Sequence, residues 1–343
     1  MAESISVILP VLIRDPSVQT VGLLQRAIES VLAQDYPEML ELIVVDDGSP
    51  VPVAEMTGLR SYRQDPRMRW IRFPRNTGLP NALNVGLRSA QYDFIARIDA
   101  DDRWRDGKIP RQIALFRQDP DLTIVGTGMC LSTGNHRPPT QHVRPGSWAG
   151  LLRFFVEVGC PFPHGSIVGR RDIFTLLGGY PHDRRVAHAE DFALWGVWLR
   201  FFKPAMVEEV FYDYALSETS VSTQHEDQQR RASGLIHRRF LSLNNSLLIP
   251  DALAGVSRAL GLSLIEAGRW CFLAWKYSQC VTIPEAAIGY MRQLMPDRAI
   301  RVSRPSSPPT RNLTPVVENG LPGSNSAGTL VDVEILPILP GLC

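Results

Sequence analysis

Three carboxylates, Asp99, Asp101 and Asp102, close the run Tyr92–Asp102, YDFIARIDADD. The preceding Phe94-Ile95-Ala96-Arg97-Ile98 has the apolar pattern of a buried strand, so the acids stand where that strand ends. In an open α/β sheet ligands gather just beyond the carboxyl ends of the strands, and oxygen donors there suit a hard divalent cation. A polar loop closing a strand has the same composition, so the pattern alone leaves both readings open. A second acidic pair, Asp46-Asp47, follows the run Leu40–Val45 and leads into Gly48-Ser49-Pro50. A carboxylate in that place accepts from a base N–H or a ribose hydroxyl, and Gly48 lets the backbone turn tightly beside a ligand. A ligand-free Asp-Asp-Gly-Ser turn is the competing explanation.

Arg75-Asn76-Thr77-Gly78 precedes a segment carrying Asn81, Asn84 and Gly86. Capping accounts for the Asn and Gly, whereas a guanidinium at a helix entrance beside strand ends suits bidentate contact with a diphosphate. Ala189-Glu190-Asp191 opens a helix after the turn at residues 178–181. Acids in a first helical turn favour the macrodipole; the chemical reading is that one of them projects toward the metal edge as a general base. His225, in TSVSTQHEDQQRR, has the imidazole to complete an otherwise all-oxygen site preferring Mn²⁺ or Mg²⁺, and His164, in Pro161–Gly165, is a candidate for the acceptor pocket.

The elements that must position these residues follow from periodicity. Ser4–Pro10 and Leu40–Val45 read as strands buried on both faces, with a helix over Thr20–Gln34 between them, which makes a βαβ unit with right-handed parallel pairing. The alternation continues with strand Met68–Phe73, helix Leu79–Ala90, strand Phe94–Ile98, helix Gly107–Gln118 and strand Leu122–Met129. The expectation is an α/β fold whose sheet is mostly parallel, with helices on both faces. Ser132–Gly146 reads as a surface loop. Helices follow at Trp148–Val156, Asp172–Leu177 and Glu190–Phe202, with a strand or hairpin arm at Met206–Ala215. Three segments result: a sheet domain over 1–223, a C-terminal helical appendage over 224–300, and a disordered tail over 301–343, rich in Pro, Ser, Gly and Asn.

Composition sets outer limits. The chain has 343 residues, 44% hydrophobic and 21% charged, as in an ordinary globular protein. Its net charge of +1 gives no ground for a nucleic-acid partner. Five cysteines without a C-x-x-C pair fit a reducing compartment. The N-terminal MAESISVILP lacks the pattern of a signal peptide, and no apolar run of about 18 residues occurs, so a cytoplasmic location is expected. Trp270-Cys271-Phe272-Leu273-Ala274-Trp275, flanked by Arg269 and Lys276, reads as part of a buried helix pair; a peripheral face resting on the inner side of the plasma membrane is the alternative.

Taken together and in order, SVILP, IVVDDGSP, RNTGLPNALNVGL, FIARIDADD and AEDFALW closely resemble the family 2 inverting glycosyltransferases of the GT-A fold, over about residues 4–230. Within that family the chain looks most like bacterial enzymes that build surface polysaccharides. The resemblance implies transfer of a sugar from a nucleoside-diphosphate sugar to a hydroxyl of a saccharide or lipid-linked acceptor. It implies that Pro10 and Asp46 line the nucleoside pocket, with Asp46 facing the base; Asp47 and Arg75 join them as nucleotide-sugar-binding candidates on their positions alone. Asp99 and Asp101 become the acids of the DxD motif, at the ribose and at a Mn²⁺ or Mg²⁺ ion, and Asp191 becomes the base. His225 is similar to a late metal-side histidine of some members. UDP is the favoured carrier, with dTDP or GDP as alternatives.

Two departures bear on these roles. Members often read P-x-Y-N after the first strand, where this chain has Pro10-Val11-Leu12-Ile13, and many carry Y-R-x-H where it has Tyr214-Ala215-Leu216-Ser217. Two rivals remain: a sugar nucleotidyltransferase, which would show a Gly-rich basic loop after the first strand in place of PVLIRDPS, and a catalytically silent nucleotide-sugar-binding protein. The sugar and the acceptor are set by pocket shape and are not legible in these motifs.

Overall fold

Ile5, Val7, Leu9 and Val11 point to one side of the first strand and Ile8 to the other, and all are buried, so this strand must lie between two apolar layers. The computed structural model describes residues 3–132, 138–215, 225–242 and 330–332, with Ser263, Ile265 and Gly268. In it β1 (Ile5–Val11) is followed by α1 (Val18–Leu32), β2 (Leu40–Asp46), β3 (Met68–Arg72), α2 (Leu79–Ser89) and β4 (Phe94–Arg97). Next come β5 (Arg103–Trp104), α3 (Lys108–Gln118), β6 (Ile124–Ser132), β7 (Thr140–His142), α4 (Trp148–Glu157), β8 (Val168–Arg170) and α5 (Arg171–Leu176). The chain continues through α6 (Glu190–Phe201), β9 (Pro204–Ala215), α7 (Glu226–Ser242) and β10 (Leu330–Asp332).

The strands form one ten-stranded sheet in the order β10-β3-β2-β1-β4-β8-β6-β9-β5, with β7 beside β6. The α/β class expected from the sequence is what forms, and β3-β2-β1-β4 are parallel throughout. Beyond β4 the sheet is mixed, because β8 inserts antiparallel between β4 and β6 and separates the two strands that a simple alternation would pair. β5, β7 and β8 span two or three residues each, too few to show a period of two in the sequence.

Two cores result, one on each face. Ile8, Ile43, Val45, Ile71 and Ile95 pack under α2, α5, α6 and α4, while Val7, Leu9, Leu42, Val44 and Ala96 pack under α1 and α3. Ala232 and Ile236 of α7 join the first of these cores, so the start of the segment expected as an appendage packs into the sheet layer. Within the stretch expected to be a disordered tail, Leu330–Asp332 pairs parallel with β3. The remaining helices expected up to residue 300, including Trp270–Trp275, lie outside the described residues.

Candidate active site

The parallel register brings the acidic strand ends together. Val11 pairs with Asp46 and Ile8 with Arg97, so β1 ends between β2 and β4 with Pro10 at the level of Val45. The Ile98 N–H continues the ladder to the Ile8 carbonyl at 3.1 Å, which carries Asp99 toward the Pro10 level. Pro10, Asp46 and Asp99 therefore share one sheet edge.

The carboxylates on that edge have different employments. Asp46 Oδ1 accepts from the Ser49 N–H at 2.8 Å and Oδ2 from the Val53 N–H at 3.1 Å, with Arg72 Nε 3.5 Å away. It organises its own loop. Asp47 reaches across to the next loop, accepting from the Thr77 N–H at 2.8 Å, the Thr77 hydroxyl at 2.9 Å and the Gly78 N–H at 2.9 Å. Burial pushes its carboxyl above the ordinary aspartate range, and those donors pull it back. Asp47 thus holds Arg75–Gly78 against the strand end instead of presenting free oxygens, and the Arg75 side chain is exposed beside it.

Gly48 makes this juxtaposition sterically feasible. Its φ is +80°, and a Cβ would overlap the Arg75 carbonyl carbon and the Asn76 nitrogen. Gly48→Ala should cost more than ~2 kcal/mol, because the left-handed backbone alone costs about 1–2 kcal/mol for an alanine and the backbone overlap adds to it. Chemical denaturation checks this, and an unchanged midpoint would show that the two loops can separate freely.

At the end of β4, Arg97 forms a two-pronged ion pair with Asp99 just beyond it, with side chains 3% and 30% exposed. Burial alone would lower the guanidinium's pKa, but Asp99, with Tyr212, Tyr180 and Asp102 nearby, holds it above the usual arginine value. Asp101 is exposed at the lip of this crowded acidic loop, where the protein packed around it and the Asp99 charge push its carboxyl up. Asp102 is buried and accepts from the Tyr212 hydroxyl and, at 2.9 Å, from the Ala215 N–H, which ties the acidic loop to β9.

Asp191 arrives from the first turn of α6, a helix fixed by the fully buried Trp195 and Trp198. Each such ring removes on the order of 200 Å² from water, worth at most about 5 kcal/mol, so this helix end is firmly anchored. Asp191 Oδ1 accepts from the Phe192 N–H at 2.8 Å, while Oδ2 faces His164 Nδ1 at 3.8 Å and Cys160 Sγ at 3.9 Å. Burial pushes its carboxyl up to about 6, outweighing the Phe192 N–H and the Arg97 charge that favour the ionised form. Arg97 and Asp99 are close enough to act electrostatically on Asp191. The structure therefore brings Asp99, Asp191 and His164 around Arg97.

His225 goes elsewhere: its ring stacks on His188 at 3.7 Å. Among the described residues no three His, Cys, Asp or Glu side chains converge as a metal-binding group, so the expected set of Asp99, Asp101 and His225 is not assembled there. An oxygen-rich pair remains, and cation binding would relieve the repulsion at Asp101. Three participants escaped the sequence reading. Arg97 had a signal, a charge inside an apolar run and two residues before Asp99; Cys160 and Tyr180 had none, since only tertiary closure brings them to Asp191.

A family model, "Glycosyl transferase family 2", matches residues 6–177. The putative glycosyltransferase EpsE of Bacillus subtilis is 30% identical over 233 residues, covering 67% of this chain and 76% of that protein. The amylovoran biosynthesis glycosyltransferase AmsE of Erwinia amylovora is 28% identical over 174 residues, which are 50% of this chain and 62% of that one. In fold, the chain is similar to the crystal structure of S. aureus TarS, with a TM-score of 0.51 at 18% identity, over 87% of this chain and 54% of TarS. The chain belongs to glycosyl transferase family 2, and its mixed sheet has the GT-A arrangement.

Proposed function

We propose that this glycosyltransferase moves a sugar from a nucleoside-diphosphate sugar to an acceptor hydroxyl with inversion at the anomeric carbon, using Asp191 as base. The observation that carries the reading is the placement of Asp191 Oδ2, near the Arg97–Asp99 pair yet free of any backbone donor, with its pKa at about 6. A carboxyl poised there is largely ionised at neutral pH and still basic enough to take a proton. The acceptor oxygen attacks the anomeric carbon from the face opposite the diphosphate, and the bond from that carbon to the phosphate oxygen breaks. Its electron pair leaves with the nucleoside diphosphate. The acceptor proton passes to Asp191 Oδ2, and in-line displacement gives inversion.

Asp101 with Asp99 would hold the divalent cation that family membership implies, Mn²⁺ or Mg²⁺, and such an ion supplies charge stabilisation to the departing diphosphate. Pro10 and Asp46 would lie beside the nucleoside and Arg75 near the diphosphate, with Asp47 acting through the loop it holds. AmsE is named for amylovoran biosynthesis, which supports polysaccharide biosynthesis and makes a saccharide or lipid-linked acceptor the class to try first. Among the described residues no helix is long and apolar enough to cross a membrane.

A screen of UDP-, dTDP- and GDP-sugars with Mn²⁺ or Mg²⁺, following release of nucleoside diphosphate, tests the reading. Release from one donor class supports it; pyrophosphate exchange in place of release would favour a nucleotidyltransferase. The pH dependence follows from the sign of the Asp191 shift. Its ionised form is the active one, so with saturating cation kcat/KM should fall about tenfold per unit as pH drops below about 6, and be level near 7. A profile flat down to pH 4.5 would remove Asp191 from the rate equation.

A further inference from the structure

His164 opens a short helical turn, His164–Ser166, that neighbouring elements hold in place. Trp104 Nε1 donates to the Gly165 carbonyl at 2.8 Å and Gln112 Nε2 to the Ser166 carbonyl at 2.9 Å. Ser166 Oγ in turn accepts from the Thr127 N–H at 3.2 Å. Gly165 packs so closely on Tyr212 that a Cβ there would overlap the phenol, and Tyr212 donates to Asp102 of the acidic loop. The His164 ring itself is 13% exposed, edge-on to Trp195 with centroids 5.9 Å apart. Its orientation is therefore set by packing.

The two ring nitrogens have different neighbours. Nε2 lies 2.8 Å from the Tyr180 hydroxyl, while Nδ1 faces Asp191 Oδ2 at 3.8 Å. Burial and the Arg97 charge keep this imidazole uncharged, so it has one N–H and one lone pair. If Nε2 carried the hydrogen, the Nδ1 lone pair would face a carboxylate. If Tyr180 donates to Nε2, the hydrogen sits on Nδ1 and its positive end faces Oδ2 instead. The second arrangement satisfies both neighbours and the first opposes one of them.

We propose that His164 is a positioning residue for the base: Tyr180 holds it as the Nδ1–H tautomer, and that hydrogen orients Asp191 Oδ2 for the acceptor hydroxyl. This deepens the function proposed above and rests on Asp191 as the base. The other groups that face Asp191 are Arg97 from β4, Asp99 beyond it, the adjacent Glu190, and Cys160 ahead of the His164 loop. Arg97 acts on both Asp191 and His164, so a neutral ring beside the carboxylate, with the proton ending on Asp191, is the arrangement with least charge conflict.

The experiment uses full-length protein and needs no donor. Long-range ¹H–¹⁵N spectra of histidine-labelled protein report the tautomer, with His164 assigned by its loss in His164→Asn. A protonated Nδ1 and bare Nε2 are expected at pH 7, with Tyr180→Phe moving the population toward Nε2–H. In parallel, the ¹³C titration of Asp191, assigned through Asp191→Asn, should shift up by up to about half a pH unit in His164→Gln, less than a full N–H donor because Nδ1 stands 3.8 Å from Oδ2. His164→Asn, whose amide can occupy the Nδ1 place, should stay within about 0.3 units of the parent, below the size of one lost donor. An Nε2–H tautomer in the parent, or an unmoved midpoint in His164→Gln, overturns the proposal. Full turnover by Asp191→Asn would instead remove the base assignment while leaving the tautomer result standing.

Discussion

Asp191→Asn is expected to fold normally, bind the sugar nucleotide as the parent does, and lose about 10²- to 10⁴-fold in kcat, the range for removing a positioned general base. The substitution is close to isosteric. The asparagine oxygen can still accept from the Phe192 N–H, so the helix start loses no hydrogen bond. What disappears is the ability of the second position to take a proton. Single-turnover kinetics with the donor found in the screen separates binding from chemistry, and an unaltered kcat would transfer the base role to another residue.

Arg97→Met carries the second large effect, on stability and on the site together. The guanidinium is buried against Asp99 and within electrostatic reach of Asp102 and Asp191. Removing one partner of a buried pair typically costs about 3–5 kcal/mol, because a charge is left without compensation. Asp99 keeps 30% of its side chain in solvent, which places the expectation at the lower end, about 3 kcal/mol. Arg97 also favours the ionised form of Asp191, so its loss should move the acid limb of the rate profile upward from about 6. Denaturant unfolding and a pH–rate profile report these effects separately. An unchanged limb would show that the pair serves structure alone.

Much of the sheet edge was legible because its determinants are local. Buried parallel strands show as continuous apolar runs, and the acids that end them, Asp46 and Asp99, fall at the edge that the register then aligns. The employments of the individual carboxylates were not legible. Asp46 and Asp47 look equivalent in Asp46-Asp47-Gly48, yet alternate residues of a strand end point oppositely. One closes on its own loop and the other on Thr77 and Gly78, about thirty residues later. The mixed half of the sheet was hidden because β8 is three residues long. Tyr180 and Cys160 depend on tertiary closure over α6, which no local period encodes. Arg97 could have been found, since a charge at a strand position that shares a face with Asp99 needs a partner.

In-line transfer with inversion at the edge between the Arg97–Asp99 pair and Asp191 fixes the anomeric configuration of the product. The most direct measurement is ¹H NMR of the free sugar released when water takes the acceptor's place, from an α-linked sugar nucleotide and before mutarotation, with Mn²⁺ or Mg²⁺ and full-length protein. A β product is expected to appear together with nucleoside diphosphate, and neither from Asp191→Asn. A first-formed α product would contradict inversion.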